Sequence, residues 1–507
     1  MRRCFVLGAV VVGGLMTLTS PLHAQGYRVR LDTWYMNYAY RGYQLDSVAS
    51  GDVVVDSATG GLYTPDGHVV TCGAGAAYCQ YYPAKEEQRG QPLHSTLDAT
   101  LWGLGIPGLS FRLKARLSTD FASERTWPAT EPSVELFEGF AEYKNDWLTA
   151  VGGRFHEVSR LGWTGMDGAK VGLHLFDRKL ELLGFGGWGL SRGAPLPVTS
   201  EWINPLDQYQ PLDRGYILGG GLGWQLGTFQ GRWIYQREPD GSDQHYLFSE
   251  RTALDASWRP VREIGIHGGA EYNIAVGTWG TADVTVDYSS ANRFMRTSMG
   301  WRRYRPYFPL WTIWEAFSPV GYDAGWASLT LYPTRGLRLW GKGEVFGYEN
   351  TNTSTPNVDV ADGGWRWTIG AGYDAIRMWR FAGNYYVNKS VGASSLGWDL
   401  RATFEPSRKF YATASGGYLN RPLEYRYNDA KTWNVGLRLD WRPIPDIGMM
   451  VEGRYYAEDR DRPDAAAIRE WNQFRLNAGL TLSFGSGADT PSLSPAILRV
   501  PERRSAQ

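Results

Sequence analysis

The stretch Gln473-Phe-Arg-Leu-Asn-Ala-Gly-Leu-Thr-Leu-Ser-Phe484 places Phe474, Leu476, Ala478, Leu480, Leu482 and Phe484 at alternate positions, with Gln473, Arg475, Asn477, Thr481 and Ser483 between them. A period of two is that of a β-strand, whose successive side chains point to opposite faces. One face here is oily and the other wet. The pattern repeats in Phe111-Arg-Leu-Lys-Ala-Arg-Leu117, with Arg112, Lys114 and Arg116 at the even positions. It repeats again where Val435, Leu437, Leu439 and Trp441 alternate with Asn434, Arg438 and Asp440. Such runs recur from Gly26 to about residue 484.

Composition removes the main rivals. Beyond the first 20 residues there is no apolar run of the roughly 18 residues that a membrane-spanning helix needs. Aromatic residues make up 14% of the 507, which argues against a disordered chain. Lys+Arg 52 against Asp+Glu 52 gives no basic field for nucleic acid. Mean hydropathy is −0.37, a value shared by soluble all-β proteins and transmembrane barrels.

Connection length separates those two. Short turns are expected at residues 105–108, 145–146, 177–179, 227–228, 260–262, 333–336, 374–376, 405–408 and 443–446. Longer polar links fall between them, at about 41–92, 119–132, 157–167, 191–213, 239–246, 305–322, 350–361, 418–430 and 459–470. Two links, 276–278 and 390–393, are too short for the pattern. Alternating tight turns and long links are the signature of a transmembrane barrel with periplasmic turns and outer loops. The expectation is an all-β, antiparallel up-and-down barrel of about 22 strands, within a range of 18 to 22.

Arg2 and Arg3 before the apolar stretch Val6 to Met16, closed by Leu22-His23-Ala24, read as a signal peptide over residues 1–24. The barrel then spans 25–484, and 485–507, rich in Gly, Ser, Pro and charge, read as a disordered periplasmic tail. Cys72 and Cys79 are the pair left after the signal, and in an oxidising compartment they read as one disulfide within the 41–92 link. No metal-ligand spacing surrounds them. Trp34, Tyr35, Trp102, Trp147, Trp163, Trp188, Trp233, Trp340 and Trp441, near strand ends, are expected to form interfacial girdles.

With signal, alternation and a last strand ending in Phe484 taken together, the chain resembles a Gram-negative outer-membrane porin-type barrel. The most specific stretch is Val134-Glu-Leu-Phe-Glu-Gly-Phe-Ala-Glu-Tyr143, then Val151-Gly-Gly-Arg-Phe155 and Asp167-Gly-Ala-Lys-Val-Gly-Leu173. This series is similar to that of alginate-export-like and related porins. The resemblance implies a channel in the bacterial outer membrane without fixing a substrate. The chain departs from the family pattern in carrying 23 residues after Phe484.

Charges on the wet faces are the candidate pore-lining groups: Arg112, Lys114, Arg116, Glu138, Glu142, Arg154, Lys342, Glu344, Arg438, Asp440, Glu452, Arg454 and Arg475. A charge costs little facing water and much facing lipid. If the loop between their strands holds an odd number of residues, Glu138 opposes Arg154. Opposed signs would favour polar solutes, although a generic solvated wall explains the same residues. Trp301, Arg302, Arg303, Tyr304 and Arg305, in a long outer link, are loop binding candidates by stacking and charge, beside the plainer reading of loop packing or lipopolysaccharide contact.

Enzyme motifs are weak. Gly184, Gly186 and Gly189 make a GxGxxG inside an alternating strand with no helix after it. His156 with Ser159 is the nearest His–Ser pairing and lacks a G-x-S-x-G context, while His174 and His267 read as wall residues. Acidic runs at 458–461 and 359–362 have no ordered calcium motif. The expectation is a non-enzymatic outer-membrane channel for passive or substrate-selective diffusion of small polar solutes, with no catalytic residue, metal or cofactor. Its partners would be outer-membrane lipid, lipopolysaccharide, the barrel-assembly machinery and the solute, with no nucleic acid. The alternative is a sleeve or scaffold around a partner such as a periplasmic electron-transfer protein, because barrels of this size are wide.

Overall fold

The computed structural model describes residues 26–40, 44–57, 60–83, 86–122, 133–190, 215–239, 247–305, 307, 321–349, 363–390, 393–420, 429–461 and 470–486. The signal, the tail and parts of several outer links lie outside the described residues. We number the barrel strands alone. The first eight are β1 Gly26–Tyr40, β2 Pro92–Trp102, β3 Leu109–Asp120, β4 Val134–Lys144, β5 Leu148–Ser159, β6 Gly162–Leu175, β7 Leu180–Gly189 and β8 Tyr216–Leu226. The next seven are β9 Phe229–Pro239, β10 Leu247–Val261, β11 Ile264–Asn273, β12 Thr278–Ser289, β13 Met295–Tyr304, β14 Tyr322–Thr334 and β15 Leu337–Tyr348. The last seven are β16 Gly363–Tyr373, β17 Trp379–Ser390, β18 Ala393–Ser407, β19 Phe410–Asn420, β20 Asp429–Ile444, β21 Ile447–Asp461 and β22 Glu470–Ser486.

Each strand pairs antiparallel with the next, and β22 returns to β1 from Tyr27↔Ser486 to Asn37↔Leu476. The result is a closed, 22-stranded up-and-down barrel, as the alternation predicted. Closure removes the unpaired edge, which hydrocarbon cannot satisfy. One end of the barrel has ten turns of two to six residues, and the other carries the long connections. The turn at 290–294, which Ser290 closes by accepting from Met295 N, is one the sequence reading lacked.

Exposed apolar side chains on strands across the barrel share one register. Leu218, Trp233, Leu254, Val284, Leu400, Leu437, Val451 and Phe474 all face outward and are exposed. The charged set, Arg154 apart, takes the opposite face, where side chains of distant strands meet, so that face is the interior. The 41–91 link is a small folded unit of its own. Asp46–Ala49 pairs with Tyr78–Tyr81, Val54–Val55 pairs with Leu62–Tyr63, and Cys72 is bonded to Cys79, which is fully buried.

Candidate functional site: the barrel interior

Residues 157–167, expected as an outer link, continue the strands instead. β5 runs to Ser159 and β6 starts at Gly162, leaving Arg160 and Leu161 as the tip. The hairpin end turns into the barrel. Its inner face, with Phe155, Leu161 and Met166, packs on Leu183, Phe185, Ile217, Ile234 and Ala253 from the inner faces of β7 to β10. This is the apolar core of the molecule, and it lies inside the barrel.

The polar residues that made the segment look like a loop are satisfied by distant strands. Glu157, 1% exposed, accepts from Lys170 Nζ at 2.6 Å and from Arg232 Nη2 at 2.5 Å. Arg232 also donates to Val158 O at 3.2 Å. Thr164 donates to Gln236 at 3.0 Å, and Gln236 to Glu238 at 2.7 Å. At the tip Arg160 donates to Asp255 of β10 and Asp283 of β12, both at 2.6 Å. Asp255 and Asp283 are mid-strand residues, so the tip is tied across the interior near mid-height. Beside it Arg251 donates to Glu271 at 3.1 Å and is covered by the ring of Tyr307, 3.8 Å away, from the β13–β14 link.

The other arc, β13 through β22 and on to β4, presents its charges in local pairs. Arg438 holds Asp440 through two hydrogen bonds of 2.7 and 2.8 Å. Arg454 donates to Glu452 at 2.9 Å, to Asn434 at 3.1 Å and to Ser415 at 3.2 Å. Arg475 donates to Gln473 and lies 4.7 Å over the Tyr456 ring. Arg302 and Arg366 converge on Glu344, each at 2.6 Å, and Lys342 sits 5.1 Å over the Trp326 ring. Arg112 reaches Asp98 at 3.2 Å and Glu138 at 2.6 Å, while Arg116 reaches Glu135 at 2.7 Å. Lys114 faces Glu138 across the β3–β4 ladder, and Glu142 faces Ser110. A cavity of about 370 Å³ lies among β12 to β15, lined by Asp283, Arg302, Arg303, Tyr304, Trp326 and Lys342.

Several expectations change. Glu138 does not oppose Arg154: Lys144 pairs with Thr149, so Arg154 opposes Gly139 and takes Asp167 instead, at 2.6 and 2.8 Å. The four residues between Lys144 and Thr149 are an even number, which shifts the two charges to opposite faces. Trp301 to Tyr304 belong to β13, not to a loop. Trp301 faces outward opposite Val284, and Arg302 faces inward opposite Asp283. Arg303 and Arg305 both bind Glu349. The girdle also divides. Tyr35, Trp188, Trp233 and Trp441 face outward, whereas Trp34 lies opposite Gly479, Trp102 opposite Ser110 and Trp340 opposite Gly370, all on the inner register. Trp147 stands in a turn and Trp163 beside the hairpin tip.

Among the described residues His156, His174 and His267 pair with no serine; the Ser–His contact present is His94 Nδ1 with Ser118 Oγ at 3.0 Å, both buried between neighbouring strands β2 and β3. His156 Nδ1 is 3.9 Å from Glu138, and Ser159 Oγ accepts from Leu161 N. His174 meets Thr149 at 2.9 Å and His267 lies 3.3 Å from Asp287. Among the described residues no three His, Cys, Asp or Glu side chains form a metal cluster, and residues 359–362 lie outside them.

An apolar exterior around a closed barrel with a charged interior defines the class: a transmembrane barrel of the bacterial outer-membrane kind. Among solved structures the chain is similar to Acinetobacter baumannii OccAB4, at 8% identity and a TM-score of 0.40 over 92% of this chain and 100% of that one. It is similar to Pseudomonas aeruginosa OccK2, at 8% identity and a TM-score of 0.40 over 90% and 98%. A third is a BenF-like porin from Pseudomonas fluorescens Pf-5, at 10% identity and a TM-score of 0.38 over 90% and 98%. No protein-family model matches the chain, and no curated protein matches it.

Proposed function

We propose that the protein is an outer-membrane channel through which small polar solutes diffuse, with selectivity set by the charges beside the hairpin tip. The observation that carries this reading is the tie of Arg160 to Asp255 and Asp283. It holds a piece of the chain across the interior at mid-height, facing an arc of Arg–carboxylate pairs. A bore of 22 strands is wide, and the inward hairpin narrows it from one side. Charges of both signs around a narrowed passage orient dipolar solutes and disfavour apolar ones.

The candidate wall residues in this reading are Arg112, Lys114, Arg116, Glu138, Glu142, Lys342, Glu344, Arg438, Asp440, Glu452, Arg454 and Arg475; Arg154, on the outward register of the hairpin, is not one of them. Arg302, joined to Glu344, replaces the loop cluster as the aromatic-basic candidate. Insertion by the barrel-assembly machinery and contact with lipopolysaccharide belong to the same proposal. The sleeve reading loses ground because the hairpin already fills part of the width that a partner would occupy. Purified protein in a planar bilayer is expected to give stepwise ion conductance. A sealed bilayer, together with a periplasmic protein that co-purifies in fixed ratio, would establish the sleeve instead.

A further inference from the structure

The wall is not uniform where the hairpin turns inward. The β4–β5 ladder runs only from Lys144↔Thr149 to Gly139↔Arg154. Above it Val134 to Leu136 and Glu138 keep their partners on β3, and none of Val134 to Glu138 has a ladder partner on the β5 side among the described residues. Five residues of strand are roughly 17 Å of edge. Both strands are shaped for the parting. On β4 a β-bulge at Phe137 breaks the register between Glu138 and Leu136, and bulges end pairing and re-aim side chains. On β5 Gly153 has φ +127°, and a Cβ there would meet Gly139 O at 2.3 Å and Phe140 Cα at 2.8 Å. Glycine alone fits this bend.

The chemistry of the outward register changes at the same height. Below the parting it holds Ala150 and Gly152 on β5 and Val171, Leu173 and Leu175 on β6. Above it come Arg154, His156, Asp167 and Trp163, the last 79% exposed. A charge facing lipid at mid-membrane costs about 2–4 kcal/mol, so these groups mark an aqueous space. His156 approaches Glu138 on the inner face of β4, which places that space in continuity with the interior. Arg154 spans the break, donating to Leu136 O at 3.0 Å and to Asp167 on β6. The outer rim is apolar, with Val134 and Leu136 exposed on the lipid side.

We propose that the parting of β4 and β5 is a lateral window between the barrel interior and the outer leaflet, and that it admits single-chain amphiphiles. The tail lies against Val134 and Leu136. The polar head meets Arg154, His156 and the Arg112–Glu138 pair. This route is separate from axial diffusion and rests on the interior being water-filled.

A fluorescent thiol label at His156→Cys tests it in vesicles containing nitroxide-labelled stearate, with aqueous iodide as the second quencher. Val171→Cys on the lipid face and Thr368→Cys on the inner face of the far arc are the references. The window predicts that stearate quenches the His156→Cys label as strongly as the Val171→Cys label, and that iodide quenches it as well. Stearate quenching no greater than at Thr368→Cys would overturn the window. Loss of iodide quenching at both His156→Cys and Thr368→Cys would instead overturn the water-filled channel. If His156→Cys does not insert, Trp163→Cys reports on the same face. A short thiol cross-linker between Leu136→Cys and Asp167→Cys should abolish stearate quenching and leave iodide quenching in place; quenching that persists once the rims are bridged would also count against the window.

Discussion

The two arcs of the barrel obey the same alternation and end differently. Along β7 to β12 the inner face is covered by the hairpin end: Glu157 and Lys170 of the hairpin are buried with Arg232 of β9 in one network, and Arg251 and Glu271 form a second buried pair beside it. From β16 to β22 the inner charges pair with neighbours on the same or the next strand, and their arginines stay partly exposed, as Arg438 does over Asp440. A carboxylate in the first arc is a packing element. In the second it holds an arginine whose head stays within reach of whatever passes.

The largest test of that contrast is Glu157→Ala. Removing the acid leaves Arg232 and Lys170 buried without their partner, a loss of roughly 3–5 kcal/mol. Urea unfolding in detergent should show the midpoint falling sharply, and a midpoint unchanged from the parent would erase the distinction between the arcs. Arg160→Ala comes next. Two charged hydrogen bonds are lost at the tip, each worth about 1.5–3 kcal/mol at most, and the hairpin is freed to leave the passage. Single-channel conductance should rise; a fall or no change would show that the tip does not narrow the path.

Asp440→Asn addresses the open arc. The pair is half-exposed on its arginine side, so stability should change by about 1 kcal/mol or less. The reversal potential in a salt gradient should move toward anion preference, because Arg438 loses its counter-charge. A change in stability without one in selectivity would make Asp440 a wall residue only. The smallest effect is expected from Cys72→Ser with Cys79→Ser. The bond ties the 41–91 unit and touches neither arc, so the shift in gel mobility between unheated and boiled barrel should be unchanged. Loss of insertion would place that unit in barrel assembly.

Much of this was legible because a period of two is a local signal. Strand number, closure and the inner register of Arg112, Lys342, Arg438 and Glu452 follow from it. The girdle error was avoidable. Trp34 shares parity with Arg30 and Asp32, and Trp340 with Lys342 and Glu344, which already assigned both indoles to the wet face. The hairpin was not legible. Glu157, Arg160 and Thr164 have the polarity of an outer loop, and their partners at Arg232, Asp255, Asp283 and Gln236 are far along the chain. Only tertiary packing shows that this polarity is buried. The Glu138–Arg154 pairing hung on a smaller thing, the parity of one turn, and that turn is even.

The seam between β1 and β22 carries a consequence for assembly. Asp32 accepts a hydrogen bond from Thr481 at 2.7 Å across 449 positions of sequence. The first strand made must therefore wait for the last, and every intermediate carries two open edges able to pair with another chain. Pairing at such separation is slow to form. The chain reaches its destination as an unfinished ribbon, and its survival on the way depends on whatever guards those edges until they meet.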